Sequence, residues 1–561
     1  MNSLAQGPTI ADTTVDLLVI GSGTGLSAAL AAHDEGLEVL VVEKTAWVGG
    51  STARSGGAFW IPANPVLLAS GSHDSLTQAS IYLDAVVGDS APKSRREAFL
   101  AEGAATVQML ERLTPMRLMW SRGYADYQPE EPGGTAVGRT CECKPFDASV
   151  LGDERSRLRP GVAKAPVPMP VTGADYKWIN LMLRTPLRAL PRIVQRLVQG
   201  IGGKLIGRDY VAIGQALAAG LFAGVIKAKI PVYTRTAAIN LITHEGHITG
   251  AVVEQDGRRA TITARKGVVL ASGGFDHNMA MRHQYQSARL EPVSLGAEGN
   301  QGDGITLGRS VGADTTLMEQ AWWFPAIAPA GDDGPQILLA ERSLPGSFMV
   351  DQHGRRFINE AVGYMSFGQQ VLAREHANDP ITTMWLVFDQ TYRRRYIMAG
   401  SIFPGMPLPE SWYAEGVAVR SDSPTELARH AGIPEQNFSE TLARFNQLAA
   451  AGEDADFHRG NSAYDRYYGD PTVTPNPNLR PLSGQLYAVK VVLSDLGTCG
   501  GLKVDEHARV LRDDGSVIEK LYAIGNVAGN VFGHCYPGAG GTIGQGLVFG
   551  RVAARHAAAQ H

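Results

Sequence analysis

Residues 15–43 constrain the fold more than any other stretch of this 561-residue chain. Val15 to Ile20 (VDLLVI) is a nearly unbroken apolar run, as in a strand buried on both faces of a parallel sheet. Gly21-Ser22-Gly23-Thr24-Gly25 follows at once, then a helical stretch (LSAALAAHDEGL), then a second buried strand from Glu38 to Val42 that closes on Glu43. Strand, glycine turn, helix and strand in this order make a nucleotide-binding unit. Gly21 permits the tight turn and Gly23 lets the backbone approach a pyrophosphate. The helix N-terminus, entered through Thr24 and Gly25, offers it free N–H groups and partial positive charge. Glu43 is placed to accept hydrogen bonds from ribose hydroxyls. One position departs from G-x-G-x-x-G: the last glycine would fall on Leu26, so the helix–strand contact has to tolerate a larger side chain.

The next segment separates FAD from NAD. In EKTAWVGGSTARSGGAFWIP, Lys44, Gly50, Ser51, Thr52, Ser55, Gly56 and Gly57 belong to a second small-residue loop able to lie against a flat isoalloxazine. A simple NAD domain has no use for it, and FAD is the expected cofactor. Two distant segments close the same site. VVLASGGF ends a buried strand on Gly273 and Gly274, and LYAIGNVAGNVFGHCYPGAGGTIGQG gives a strand, a loop from Gly525-Asn526, and a helix starting near Gly541-Thr542-Ile543. The loop Gly296 to Gly304, with Asp303, and Thr498 to Gly501 are expected to face the flavin. The fold class is therefore α/β, with a Rossmann-like FAD domain formed by both chain ends (1 to about 278, about 484 to 561) and an inserted α+β catalytic domain (about 279–483). Within the insertion, TELARHAGIPEQNFSETLARFNQLAAAGEDADF reads as a scaffold pair of helices with Pro434 between them.

A net charge of −4 argues against nucleic acid or another polyanion as partner. Cys141 and Cys143 have no second ligand pair at zinc spacing, so no metal is expected and the thiols read as free. The N-terminus lacks a positive n-region and a long apolar h-region, and the expected location is cytoplasmic. Residues 175–230 stand apart in composition. Arg184, Arg188, Arg192 and Arg196 recur every four residues among leucines, Pro186 and Pro191 break the helix into pieces, and Val211 to Ile226 is an uncharged run of 16 residues, short for a span. A basic amphipathic segment followed by an apolar hairpin reads as lying on an anionic membrane, here its inner face. The alternatives are a solvated charged face beside a buried helix, or an oligomer contact.

Four motifs, EKxxxxGGSTARSGG, ASGGFDHN, GRRFINE and YPGAGGTIGQG, resemble the 3-ketosteroid Δ1-dehydrogenases, relatives of the fumarate reductase and succinate dehydrogenase flavoproteins. The likeness covers nearly the whole chain except roughly Ala165 to Ile230. The first motif and the strand-turn glycines are shared across the superfamily, whereas GYADYQPEEPGG, NEAVGY and YPGAG are narrower signals. The resemblance implies a lipophilic steroid substrate, an external electron acceptor such as a quinone, and a hydride passing from C1 to FAD N5. It implies that Tyr364 takes the C2 proton, that Tyr127 is its hydrogen-bond partner and proton relay, and that the Tyr536 hydroxyl and the Gly540 N–H hold the C3 carbonyl. Gly363 departs from the proline of many members, which would loosen the tyrosine's backbone. The chemistry agrees: removing C2–H puts enolate charge on the C3 oxygen, where two fixed donors stabilise it. A phenol is neutral at rest in an apolar pocket, yet with a pKa of about 10 it needs help to act as a base. Trp322, Trp323, Phe324, Phe348 and Met349 are candidates to line a sterol pocket. Arg355-Arg356 reads as a structural ion-pair element rather than a dicarboxylate clamp. A Δ4-(5α)-3-ketosteroid dehydrogenase, a fumarate-reductase-like ene-reductase and a membrane-bound electron-transfer flavoprotein remain as other readings.

Overall fold

The apolar run at residues 15–20 lies at the centre of a parallel sheet in the computed structural model, which describes residues 9–162, 167–329 and 334–560. Thr13–Ile20 pairs in parallel with Val39–Val42 on one side and Arg258–Leu270 on the other; Val232–Tyr233 and Val517–Ala523 extend the sheet. Successive side chains of a strand point to opposite faces. Leu17, Val19, Val39 and Val41 join a core with the helices Gly25–Asp34 and Gly541–Ala559. Leu18, Ile20, Leu40 and Val42 enter a second core with the hairpin Thr236–His244 and His247–Gln255. Neither face meets water there, which explains why these strands show no polar alternation. Both ends of the chain build this unit.

A second, antiparallel sheet runs in the order Gln336–Ile337, Ala321–Ile327, Leu486–Thr498, Met384–Asp389, Ser347–Asp351. Leu486–Thr498 is its long shared strand, pairing with Met384–Asp389 along its first half and with Ala321–Ala326 along its second. From just after the boundary expected at about 484, this strand runs wholly within the second sheet. Phe348, Val350, Trp385 and Val387 pack under the helical pair Pro424–Ala431 and Glu435–Ala451. Met349, Leu386 and Phe388 face the other way, into the cluster that contains Tyr127, Tyr364 and Tyr536.

Residues 175–230 depart from expectation. The apolar run is not a membrane hairpin: it forms the helix Ile213–Lys227, buried from Ala216 to Val225 in the core of the first unit, where the helix enters the loop at residues 49–57. Pro186 opens a helix, Pro186–Leu197, and Pro191 lies inside it without breaking it. Nor does the arginine stripe face outward as a whole. Arg184 pairs with Asp470 at 2.9 Å, Arg196 pairs with Asp175 at 2.6 Å, and Arg188 and Arg192 lie over the Trp178 ring. Leu183, Leu187, Leu190, Val194, Val198, Ile201, Leu205 and Ile206 are exposed, Leu187 to 89%, with Arg188, Gln195 and Lys204 exposed among them. The outward row is largely apolar.

Arg356 of the GRRFINE motif is structural. It donates to both carboxylate oxygens of Glu360 at 2.9 and 2.8 Å and to both of Asp454 at 3.0 and 2.8 Å, while Arg459 reaches Glu360 at 3.2 Å. Burial alone would raise the carboxyl of Glu360, but the neighbouring arginines outweigh it and hold it below its ordinary value; Asp454 is lowered in the same way by Arg356. Removing one partner of a buried pair strands the other, at a cost of about 3–5 kcal/mol. Arg356→Met is expected to lower the free energy of unfolding by that amount, and the thermal midpoint with it, without loss of bound flavin. Because both carboxyls are depressed, the wild-type contribution is complete at neutral pH and disappears as pH falls below about 4. Thermal scans across pH should therefore show the two proteins converging in acid.

Candidate active site

The two glycine-rich loops lie against each other and shape one cradle. Gly21 has φ 111°, and a Cβ there would sit 2.3 Å from the Ala271 carbonyl oxygen, so only glycine makes this turn. A Cβ on Gly23 would lie 3.3 Å from Thr52 Oγ1, and one on Gly50 3.6 Å from Gly23 Cα. Gly25 supplies the close helix–strand contact, 3.0 Å from Val19 and from Ala271, so Leu26 is simply core. Glu43 is buried and already holds four donors: the Ser22 N–H and hydroxyl at 3.2 and 2.6 Å, and those of Thr45 at 2.9 and 2.8 Å. A ribose hydroxyl would have to exchange with one of them.

The other candidate residues lie around these loops. Lys44 pairs with Asp303. Ser51 Oγ accepts from the Ala297 N–H at 2.9 Å and from Asn300 Nδ2 at 2.8 Å, which draws the 296–304 loop against it. The Ser55 hydroxyl donates to the Thr52 carbonyl at 2.8 Å and accepts from the Gly57 N–H at 3.0 Å, while Gly56 borders open space. Gly273 packs on Asn300, Gly274 on the Thr498 hydroxyl, and Gly525 on Thr24. Asn526 accepts from Trp322 Nε1 at 3.0 Å. Neither the helix at Gly25 nor the one at Gly541-Thr542-Ile543 is capped by a side chain, so each offers backbone N–H groups to a ligand. Ser272, missed in the sequence, has a buried hydroxyl without a partner among the described residues, and it sits against Gly304 in the same cradle. Such an orphan asks for a ligand atom. The cradle fits an extended flavin dinucleotide.

Beside it, Tyr127, Tyr364 and Tyr536 form a triangle of rings with centroids 5.2, 5.3 and 5.2 Å apart. Tyr364 is the first residue of the helix Tyr364–His376. Gly363 before it has φ −49° and ψ 135°, angles a proline would also adopt, so the departure from the family leaves the backbone path unaltered. The Gly540 N–H lies 3.3 Å from Tyr536 Oη, and the Thr542 hydroxyl 3.4 Å from it. The 536–540 loop is pinned from outside: Pro537 O accepts from the Tyr127 N–H at 3.0 Å and from Tyr82 Oη at 2.7 Å. Behind it, Trp60 Nε1 donates to Asp126 at 2.9 Å, and Asp126 pairs with Arg139. Burial pushes the Asp126 carboxyl up to about 6 despite that arginine.

Of the five apolar candidates, Phe324 packs on Tyr364 at 4.3 Å and Trp322 on Tyr536 at 4.6 Å between centroids. Met349 shares their cluster. Trp323 turns away toward Gly368 and Arg282, and Phe348 stacks on Phe445 in the scaffold core, so neither meets the tyrosines. Three further tyrosines were not anticipated. Tyr464 packs on Tyr127 at 4.6 Å, Tyr467 stacks on Tyr124 at 4.5 Å, and Tyr468 Oη lies 2.9 Å from Tyr124 Oη. The signal was present as NSAYDRYYGD.

Burial holds the Tyr364 phenol well above its ordinary value, Tyr536 adds to the rise, and only the Tyr127 hydroxyl works the other way. Burial likewise raises Tyr127, whose hydroxyl has no hydrogen-bond partner among the described residues. The group can hold a carbonyl oxygen with two donors and take a proton from the carbon beside it.

Residues 16–543 match the FAD binding domain family. The chain is 44% identical over 556 residues to a 3-oxosteroid 1-dehydrogenase of Mycolicibacterium smegmatis, covering 97% of each protein. It is 35% identical to a 4-oxocyclohexanecarboxylate 2-dehydrogenase of Sinomonas cyclohexanicum, covering 98% of this chain and 93% of that one. Its fold superposes on the crystal structure of the 3-ketosteroid Δ1-dehydrogenase from Sterolibacterium denitrificans, solved with 1,4-androstadiene-3,17-dione, with a TM-score of 0.92, 36% identity and coverage of 98% and 100%. With the dinucleotide cradle and the tyrosine group in place, the chain belongs to the FAD-dependent 3-oxosteroid 1-dehydrogenase family.

Proposed function

We propose that this protein desaturates the C1–C2 bond of 3-ketosteroids, converting a 3-keto-4-ene to a 1,4-dien-3-one. The observation that carries this reading is the Tyr536 hydroxyl and Gly540 N–H set 3.3 Å apart beside the buried rings of Tyr364 and Tyr127. Tyr536 and Gly540 hold the C3 oxygen. Gly540 is the N-cap of the last helix, so the charge that develops on that oxygen meets the positive end of a helix. Tyr364 removes the C2 proton; as the first residue of its own helix it gains the same kind of field for its phenolate. Tyr127 passes the proton on, toward a cavity of about 220 Å³ that it lines with Gln128, Glu130 and Tyr464. FAD, when bound, supplies the two-electron acceptor for the hydrogen at C1. The electrons then leave to an external acceptor, a quinone or another oxidant. The exposed row Leu187, Leu190, Val194, Val198, Leu205 and Ile206 supports peripheral docking on a membrane, where a sterol is available without transfer through water. Among the described residues no helix is long and apolar enough to cross a membrane.

Anaerobic mixing with androst-4-ene-3,17-dione should bleach the flavin band near ~450 nm and yield the 1,4-diene. 4-Oxocyclohexanecarboxylate, a monocyclic ketone, should bleach it far more slowly. Tyr364→Phe should slow bleaching by roughly 10²–10⁴-fold with flavin content intact, and Tyr536→Phe by about 10²-fold. Bleaching by Tyr364→Phe at the wild-type rate would remove that residue from the mechanism. Since the base is a phenol held above its ordinary value, its active form grows with pH, and kcat/KM should climb through the alkaline range. For the docking surface, the double change Leu187→Glu and Leu205→Glu should leave flavin content intact and abolish co-sedimentation with phospholipid vesicles; undiminished co-sedimentation would exclude this row as the contact.

A further inference from the structure

Inside the helix Pro186–Leu197, opposite its exposed apolar row, lies a cavity of about 450 Å³. Four cations line it: Arg122, Lys177, Arg188 and Arg192. They come from three separate parts of the chain and rest on aromatic rings, and Arg192 alone of the four also pairs with an acid among the described residues. Lys177 Nζ sits 4.3 Å from the Tyr467 ring centroid and 5.1 Å from that of Trp178. The guanidinium of Arg188 is 4.6 Å above Trp178, and that of Arg192 is 5.6 Å from it. Arg122 lies 5.4 Å over Trp120. No carboxylate lies among the lining residues. Just outside the lining, Asp175 is committed to Arg196 at 2.6 Å and stands 3.8 Å from Arg192, and Glu142 accepts from the Gly173 and Ala174 N–H groups at 2.7 and 2.9 Å. Among the described residues no ion pair satisfies Arg122, Lys177 or Arg188. Burial, and then Arg188, lower Lys177 to about 8, the response of a cation among like charges.

Four cations around one hollow repel one another unless an anion joins them, and the aromatic walls suit an apolar body attached to it. Two rings link the cavity to the catalytic group: Tyr467, in its lining, stacks on Tyr124 at 4.5 Å, and Tyr124 neighbours Tyr127 at 6.4 Å. We propose that this cavity is a binding subsite for the carboxylate or phosphate group of an amphiphile. Two sources carry that chemistry: an acidic side chain on the steroid, which rests on the function proposed above, and the headgroup of an anionic lipid.

The test uses the flavin-loaded enzyme and the double variant Arg188→Gln, Arg192→Gln, with flavin content and circular dichroism as the check on folding. The steroid arm measures calorimetric binding of 3-oxochol-4-en-24-oate and of its methyl ester. The acid should bind the wild type at least tenfold more tightly than the ester, and the variant should lose that preference. The lipid arm compares co-sedimentation with vesicles of pure phosphatidylcholine and of phosphatidylcholine mixed with phosphatidylglycerol. If the source is a headgroup, the gain from phosphatidylglycerol falls at least tenfold in the variant. Either loss supports the subsite and names its source; a variant matching the wild type in both arms overturns it. Failure of androst-4-ene-3,17-dione to bleach the wild-type flavin would instead count against the steroid function, whatever these arms show.

Discussion

The contact between the first helix and the last holds the site together. Gly546 faces Thr24 and Gly550 faces Ala28, where an added Cβ would come within 2.5 Å of the Thr24 hydroxyl and 3.0 Å of the Ala28 amide nitrogen. Larger residues would hold the helices apart. The same helix fits Gly544 against the Trp60 carbonyl at 2.5 Å and Gly540 against Ala58 at 2.4 Å, measured to an added Cβ. One close-packed seam therefore sets both the shape of the dinucleotide cradle and the position of the Gly540 N–H. The energetic cost of so many glycines is entropic, and the tight backbone approach they allow is what the site needs.

The site proper is built with almost no net charge. Burial keeps the Tyr127 and Tyr364 phenols neutral at rest, two helix N-termini lie beside the group, and the buried Arg342 sits behind it, donating to the Glu360 and Val362 carbonyls. A formal charge in that pocket would carry a large desolvation cost and would repel an apolar ring system. Charged residues are kept behind the loops they support, as with Asp126 and Arg139, or within the scaffold, as with Arg356, Glu360 and Asp454.

Much of this was legible from the chain alone, because short-range rules govern it. The unit at residues 15–43, the loop at 49–57, the return at Gly273-Gly274 and the start of the last helix all lie where apolar runs and glycines put them. What failed depended on partners far away in sequence. A 16-residue apolar run satisfies a core and a lipid surface equally, and only the contacts of Ile213–Lys227 with the 49–57 loop decide between them. Periodicity showed that arginines and leucines occupy different faces of 184–201, yet it carries no information about which face turns inward; Trp178, Asp175 and Asp470 decide that. Leu486–Thr498 serves two sets of neighbours, a property of the sheet and not of the strand, so its own sequence does not say what it joins. Tyr464, Tyr467 and Tyr468 were passed over because a tyrosine says nothing of its neighbours until the chain is folded.

The return of both chain ends to one sheet has a consequence for biogenesis. Translation is vectorial and domains fold as they emerge, but here the strand Thr13–Ile20 needs the helix Gly541–Ala559 to cover one face. The ribosome must release nearly the entire polypeptide before that seam can close. Until then that side of the sheet is covered only in part, by the helices Gly25–Asp34 and Ile213–Lys227, and the cradle for the flavin is incomplete. A complete cradle for the flavin thus waits on the last helix.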